Sequence, residues 1–273
     1  MDRREFLSNV LWSGCAVSLG LPLFAGKKKE HGYLKESVSK FSQRLVPVGR
    51  VLEEEGYYVW CNSPIYGPDG QVHLFYSRWP SKYGMGGWIH KCEIARAVAT
   101  SPEGPFVFQE TVLEPREGFF DATTCHNPTI HFIDGMYYLF YMGNSNGKTN
   151  TKRIGLATSL SLQGPWARRS APLLEAGHLG AWDDHCTTNP AFVRHPDGRC
   201  LLYYKSWNTA DYENAPKDAT IRGNRKYGLA VAGRPEGPYV KYEGNPVIDF
   251  RTEVKTSSWK TLMYGINTDG LTL

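Results

Sequence analysis

NPTIHFIDGMYYLFYMGN, Asn127 to Asn144, is the stretch on which the fold turns. An extended apolar run reaches Asp134-Gly135, and a second run, Met136 to Tyr141, follows at once. Asp-Gly suits a tight hairpin because glycine takes positive φ without strain. The apolar residues show no 3.6-residue period, so helices are excluded and two antiparallel strands are predicted. The same text occurs twice more, as NSPIYGPDGQVHLFYSRW (Asn62 to Trp79) and NPAFVRHPDGRCLLYYKSW (Asn189 to Trp207). Each hairpin is followed by a small-residue strand and a Gly-Pro-aromatic triplet. These read IARAVATSPEGPF (Ile94 to Phe106), IGLATSLSLQGPW (Ile154 to Trp166) and YGLAVAGRPEGPY (Tyr227 to Tyr239). The anchors Pro64, Pro128 and Pro190 stand 64 and 62 residues apart. Four short antiparallel strands in a repeat of this length make a β-propeller blade, whose faces are buried by its neighbours.

Ahead of two of these repeats lies a shared polar run, FDATTCHNP (Phe120 to Pro128) and WDDHCTTNP (Trp182 to Pro190). The first strand of each blade lines the centre of a propeller, so residues just before Asn-Pro are expected to converge on one cavity. Blade one would offer Trp60, Cys61 and Asn62. Blade two would offer Asp121, Thr123, Thr124, His126 and Asn127, and blade three Asp183, Asp184, His185, Thr187, Thr188 and Asn189.

The Asn-Pro blade starts, Asp-Gly hairpins and GLA…GPW strands resemble the five-bladed propeller glycoside hydrolases of the family 43 and family 117 type, over about residues 46 to 250. The resemblance implies an all-β, five-bladed architecture of which some three blades, residues 31–250, are present. It also implies hydrolysis of a glycosidic bond, inversion at the anomeric carbon and a carbohydrate partner. Family 43 places a general-base Asp, a tuning Asp and a general-acid Glu at the starts of its first three blades. Here Asn62, Asn127 and Asn189 occupy the matching slots, and asparagine exchanges no proton at neutral pH.

Glycosidic hydrolysis needs two carboxyl groups flanking the bond. Asp121 and Asp184 are the expected pair, with His126 and His185 as hydrogen-bonding or proton-shuttling neighbours. Trp60, Asn62, Glu93, Asn127, Asp183, Thr188 and Asn189 are expected to contact substrate, with Glu93 a further candidate acid. Alternation along a strand lets only one of Asp183 and Asp184 face the pocket. One of Trp60, Trp79, Trp88 and Trp182 is expected to stack on a sugar ring. Two other readings keep their place. One is a glycan-binding propeller that has lost catalysis. The other is a phosphorylase, which would draw on Arg78, His90 and Arg96.

The bulk properties agree. The chain has 273 residues, is 41% hydrophobic and 13% aromatic, and its net charge of +4 forms no basic stripe, which argues against nucleic acid. Cys125-His126 and His185-Cys186 have the wrong spacing for zinc, so no metal or cofactor is expected; the family resemblance allows a structural calcium. The five cysteines after Cys15 are odd in number and widely spaced, which suits buried thiols rather than a disulfide framework. Residues 1–30 look like a twin-arginine export signal: Arg3-Arg4 precedes an apolar run too short and too interrupted for a stable membrane span. Export to the periplasm or beyond is expected. After Asp249-Phe250 the repeat stops. Read one frame over, Ser258 to Ile266 can encode Leu-Glu-Asp-Ala-Tyr-Val-Trp-Tyr, so residues 251–273 are expected to be the frameshifted start of a fourth blade. Three blades alone cannot close a ring.

Overall fold

The computed structural model describes residues 44, 46, 49–214 and 225–249; the leader at 1–30 and the tail at 251–273 lie outside them. Blade one is β1 (Tyr57–Tyr66), β2 (Val72–Pro80), β3 (Glu93–Ala99) and β4 (Val107–Leu113), paired in that order. Blade two is β5 (Thr124–Ile133), β6 (Met136–Asn144), β7 (Arg153–Ser159) and β8 (Ala167–Arg168). Blade three is β9 (Thr188–Arg194), β10 (Cys200–Ser206), β11 (Lys226–Ala232) and β12 (Val240–Lys241). A short helix, α1 (Thr209–Asn214), follows β10, and β13 (Ile248–Asp249) adds to the edge of β11. All strand pairs within the blades are antiparallel, as the repeat predicts.

Packing follows from the two-residue period of β6. Tyr137, Leu139 and Tyr141 face blade one and pack with Phe75, Ile94 and Leu113. Tyr138 and Phe140 face blade three and pack with Phe192, Leu202 and Tyr204. A strand covered on both faces must be apolar throughout, which is why Tyr137 to Asn144 is buried without a break. Each large apolar side chain so buried stabilises by roughly 1.5–3 kcal/mol.

The hairpins use their glycines as expected. Asp134 and Gly135 have φ of 50° and 82°, the doubly positive backbone of a two-residue turn. In blades one and three the turn is wider, and Asp69 and Asp197 accept the amides of Gln71 and Arg199, both at 3.0 Å. The glycine of each GLA strand has a different purpose. Tyr141 lies over Gly155 and Tyr204 over Gly228, where a Cβ would sit 2.5 Å from the ring.

The blade starts depart from the expected register. Each first strand carries a bulge at a residue with positive φ: Cys61 (45°), Asn127 (53°) and Asn189 (51°). Ser63 and Thr129 then pair with the equivalent Phe75 and Phe140. The true counterpart of Asn127 and Asn189 is therefore Cys61, not Asn62, and Pro64 is not equivalent to Pro128. Asparagine suits this position because it tolerates the left-handed conformation better than most residues.

Candidate functional site

The polar runs split into two parts. Their first residues hold the strands of one blade together. Asp121, fully buried, accepts the Tyr141 hydroxyl at 2.7 Å and pairs with Arg116 at 3.1 Å and with Arg168 of β8. Asp183 accepts the Tyr204 hydroxyl at 2.8 Å and pairs with Lys241 of β12 at 2.6 Å. In blade one Glu54 accepts the Tyr76 hydroxyl and pairs with Arg78, while Phe108 takes the place held by Arg168 and Lys241. The Arg78 guanidinium covers that Phe108 ring at 4.0 Å. Burial, aided by the adjacent carboxylates, raises all three tyrosines above their usual range. Each blade is thus clasped by a carboxylate, a tyrosine of its second strand and a cation.

The middle residues stitch neighbouring blades. Thr123 and Thr124 donate to the carbonyls of Ile89 (3.0 Å) and Trp88 (2.7 Å) in the β2–β3 loop. Thr187 donates to Leu174 O at 2.7 Å. Asp184 caps two amides, Gly180 at 2.8 Å and Thr209, the first residue of α1, at 2.6 Å.

The last residues of each run open on a cavity of about 500 Å³, within the roughly 300–1,000 Å³ usual for small-molecule sites. Blade one contributes Trp60, Cys61 and Trp79 from its strands, and Met85, Gly86 and Trp88 from the β2–β3 loop. Blade two contributes His126, Asn127 and Met142, with Thr149 and Lys152 from the β6–β7 loop. Blade three contributes Thr188, Asn189, Lys205 and Trp207, with Tyr212 of α1 and Arg225. The structure therefore brings together Trp60, His126, Asn127, Thr188 and Asn189 of the expected set. It does not bring Asp121, Asp183, Asp184, Asn62 or Glu93 to this wall. Glu93 holds Arg78 at 2.7 Å, and Asn62 is exposed on β1. Neither member of the Asp183-Asp184 pair faces the cavity, because one is spent on a clasp and the other on a cap. His185 stands behind the wall, stacked on Trp207 at 5.1 Å and bonded to Thr149 (2.9 Å) and Thr209 (3.1 Å). Cys61, Cys92, Cys125, Cys186 and Cys200 are all buried.

The charge of the wall is one-sided. No carboxylate is among the described residues that line it, while Lys152, Lys205 and Arg225 all are. Lys152 and Lys205 form no ion pair with any described carboxylate. Lys152 is 6% exposed and lies 4.4 Å from the Trp207 ring centre; Arg225 lies 3.8 Å from it. Burial lowers the Lys152 pKa, and burial with Lys152 and Arg225 nearby brings Lys205 down to about 7. Burial holds His126 at about 3 and His185 at about 4, so both are neutral at pH 7. His126 Nδ1, Asn127 Oδ1 and Trp207 Nε1 are buried without a hydrogen-bond partner among the described residues. Trp60, 38% exposed, leans on Trp79 at 6.0 Å and presents a flat face at the rim.

A second hollow of about 640 Å³ lies by the Asp69-Gly70 turn of blade one. Its charged groups already answer each other, Arg96 with Glu110 at 2.9 Å and His73 with Asp69 at 3.1 Å.

The cations were missed in the sequence. Lys205 had a signal: it interrupts the apolar β10 at the position held by Ser77 and Met142 in the other blades. Lys152 and Arg225 lie outside the repeat's aligned strands and carried none.

No protein-family model matches the chain. Over 110 residues it is 34% identical to proteins named probable arabinan endo-1,5-alpha-L-arabinosidase C from Neosartorya fischeri and Aspergillus fumigatus. The match takes in 39% of this chain and 27% of each relative, so the chain spans about a quarter of their length. In structure it resembles a family 117 glycoside hydrolase from the marine bacterium Zobellia galactanivorans, with a TM-score of 0.59 and 22% identity, over 71% of this chain and 58% of that one. A further structure titled "Glycoside hydrolase" aligns with a TM-score of 0.57 at 14% identity, over 73% and 60%. The chain thus has the fold of these propeller glycoside hydrolases, through three successive blades.

Proposed function

We propose that this chain is a carbohydrate-active propeller of the glycoside hydrolase type, and that sugar binds where the three first strands begin. One observation carries the reading: Trp60-Cys61, His126-Asn127 and Thr188-Asn189, equivalent pairs from three blades, line one cavity. Trp60 offers a stacking face, the buried Asn127 Oδ1 can still accept a hydrogen bond, and the buried Trp207 indole N–H can still donate one. For hydrolysis we keep Asp184 as the carboxylate to test: it stands behind the wall, joined to His185 through Thr209, and would have to give up its two capped amides to act on a sugar. Asp121 and Asp183 we assign to the clasps rather than to proton transfer. Arabinan is the first substrate to try, given the similarity over 110 residues.

A second reading, glycan binding without turnover, is favoured by the lack of any carboxylate among the described wall residues. Reducing-end release from arabinan and a wider glycan panel separates the two. Hydrolysis predicts release that Asp184→Asn abolishes while the fold is kept. Binding that produces no new reducing ends, in wild type as in the variant, would replace it with the second reading.

For export, the basis is Arg3-Arg4 ahead of the interrupted apolar run; no helix among the described residues is long and apolar enough to cross a membrane. A folded reporter fused after residue 30 should reach the periplasm, and changing both arginines to lysine should stop it. Export that survives the change would remove the twin-arginine assignment.

A further inference from the structure

We infer that the cavity recognises a sugar bearing an anionic substituent, a carboxylate or a sulfate ester, held between Lys152, Lys205 and Arg225. The inference rests on the glycan reading above and adds the class of substrate. Lys152 and Lys205 share one wall, beside Arg225, and neither lysine pairs with a described carboxylate, although the chain matches its buried charges elsewhere: Asp121 with Arg116 and Arg168, Asp183 with Lys241. Burying like charges together is unfavourable unless an opposite charge joins them. Trp207 does not serve as a neutral-sugar platform, because Lys152, Arg225 and His185 already pack on its ring. It holds the cations in place, and a ring this electron-rich stabilises them while no anion is bound. Its Nε1, with His126 Nδ1 and Asn127 Oδ1, adds independent evidence for a ligand. These polar groups sit in residues at least nine-tenths buried that line the cavity, and no described group satisfies them. Trp60 at the rim is placed to stack on the sugar ring whose substituent reaches inward. The lowered basicity of Lys205 agrees: burial is its largest cause, and Lys152 and Arg225 add to it.

The test is binding of matched oligosaccharides to the full chain, read by calorimetry and tryptophan fluorescence. One pair is a galacturonate trisaccharide and its methyl ester; the other is a sulfated galacto-oligosaccharide and its desulfated form. The expected result is at least tenfold tighter binding of one anionic member than of its neutral partner. The stronger pair tells carboxylate from sulfate. Lys205→Met should remove that preference, with circular dichroism confirming the fold; the wild-type comparison stands even if the variant does not fold. Equal binding within both pairs would overturn the inference and leave the glycan reading intact. Binding of inorganic sulfate or phosphate with no oligosaccharide bound at all would overturn both, assigning the cations to a small ion.

Discussion

At the clasps of blades two and three, every carboxylate meets a cation and a tyrosine hydroxyl; at the cavity wall, where the last residues of the same runs lie, Lys152 and Lys205 meet no described carboxylate. The clasps use residues at matching positions of the repeat, whereas Lys152 of the wall comes from the connection between β6 and β7. Matched charge under a tyrosine ring fixes how a blade closes on itself and has nothing left to offer a ligand. Unmatched charge costs stability and is kept only where something else gains by it. The contrast separates residues that hold the fold from residues that face a partner, which position along the chain alone does not.

The largest effect should come from breaking a clasp. Asp121→Ala leaves Arg116 and Arg168 facing a buried Tyr141 with no counter-charge, and a cost of about 3–5 kcal/mol in denaturant unfolding is expected. A loss below about 1 kcal/mol would show that Asp121 is not structural and return it to the catalytic candidates.

The cavity should respond in the opposite direction. Lys205→Met removes an unmatched charge and is expected to raise stability by about 1–3 kcal/mol while weakening anion binding. The pH dependence sharpens this. Lys205 has a folded pKa of about 7, below its unfolded value of 10.5, because of burial and because Lys152 and Arg225 face it, the thiols of Cys186 and Cys61 opposing weakly. Between those values the unfolded chain holds the extra proton, so this group makes stability rise with pH from about 7 upward and changes nothing below. Anion binding has the reverse sign and should weaken as pH climbs through about 7. A stability curve flat across that window, in wild type and Lys205→Met alike, would contradict the assignment.

The smallest change is expected at Asp184, whose carboxylate caps Gly180 and Thr209. Asp184→Ala should cost about 1 kcal/mol, the usual worth of a cap. Measured beside Asp121→Ala, it tests whether two aspartates from matching runs differ as their surroundings say.

Much of this architecture was legible. Asp134-Gly135 announced its turn, the unbroken Tyr137 to Tyr141 run announced a strand covered on both faces, and the repeat announced the blade. The register of blade one was not, because the alignment relied on Pro64, whereas the bulge falls at Cys61, a residue with no turn signal. The site was half legible. His126, Asn127, Thr188 and Asn189 reach the cavity as expected, but Asp121 and Asp183 do not, since sequence cannot show Tyr141 and Tyr204 waiting for them from the next strand. Arg225 and Lys152 come from connections that the repeat leaves unconstrained. Their meeting at Trp207 exists only in three dimensions.

The most direct test is a crystal structure of the chain soaked with the tightest-binding oligosaccharide. The expected result is a sugar ring against Trp60, a sugar hydroxyl donating to Asn127 Oδ1, and an anionic group within reach of Lys152, Lys205 and Arg225. Sugar bound only at another face, with this wall untouched, would contradict it.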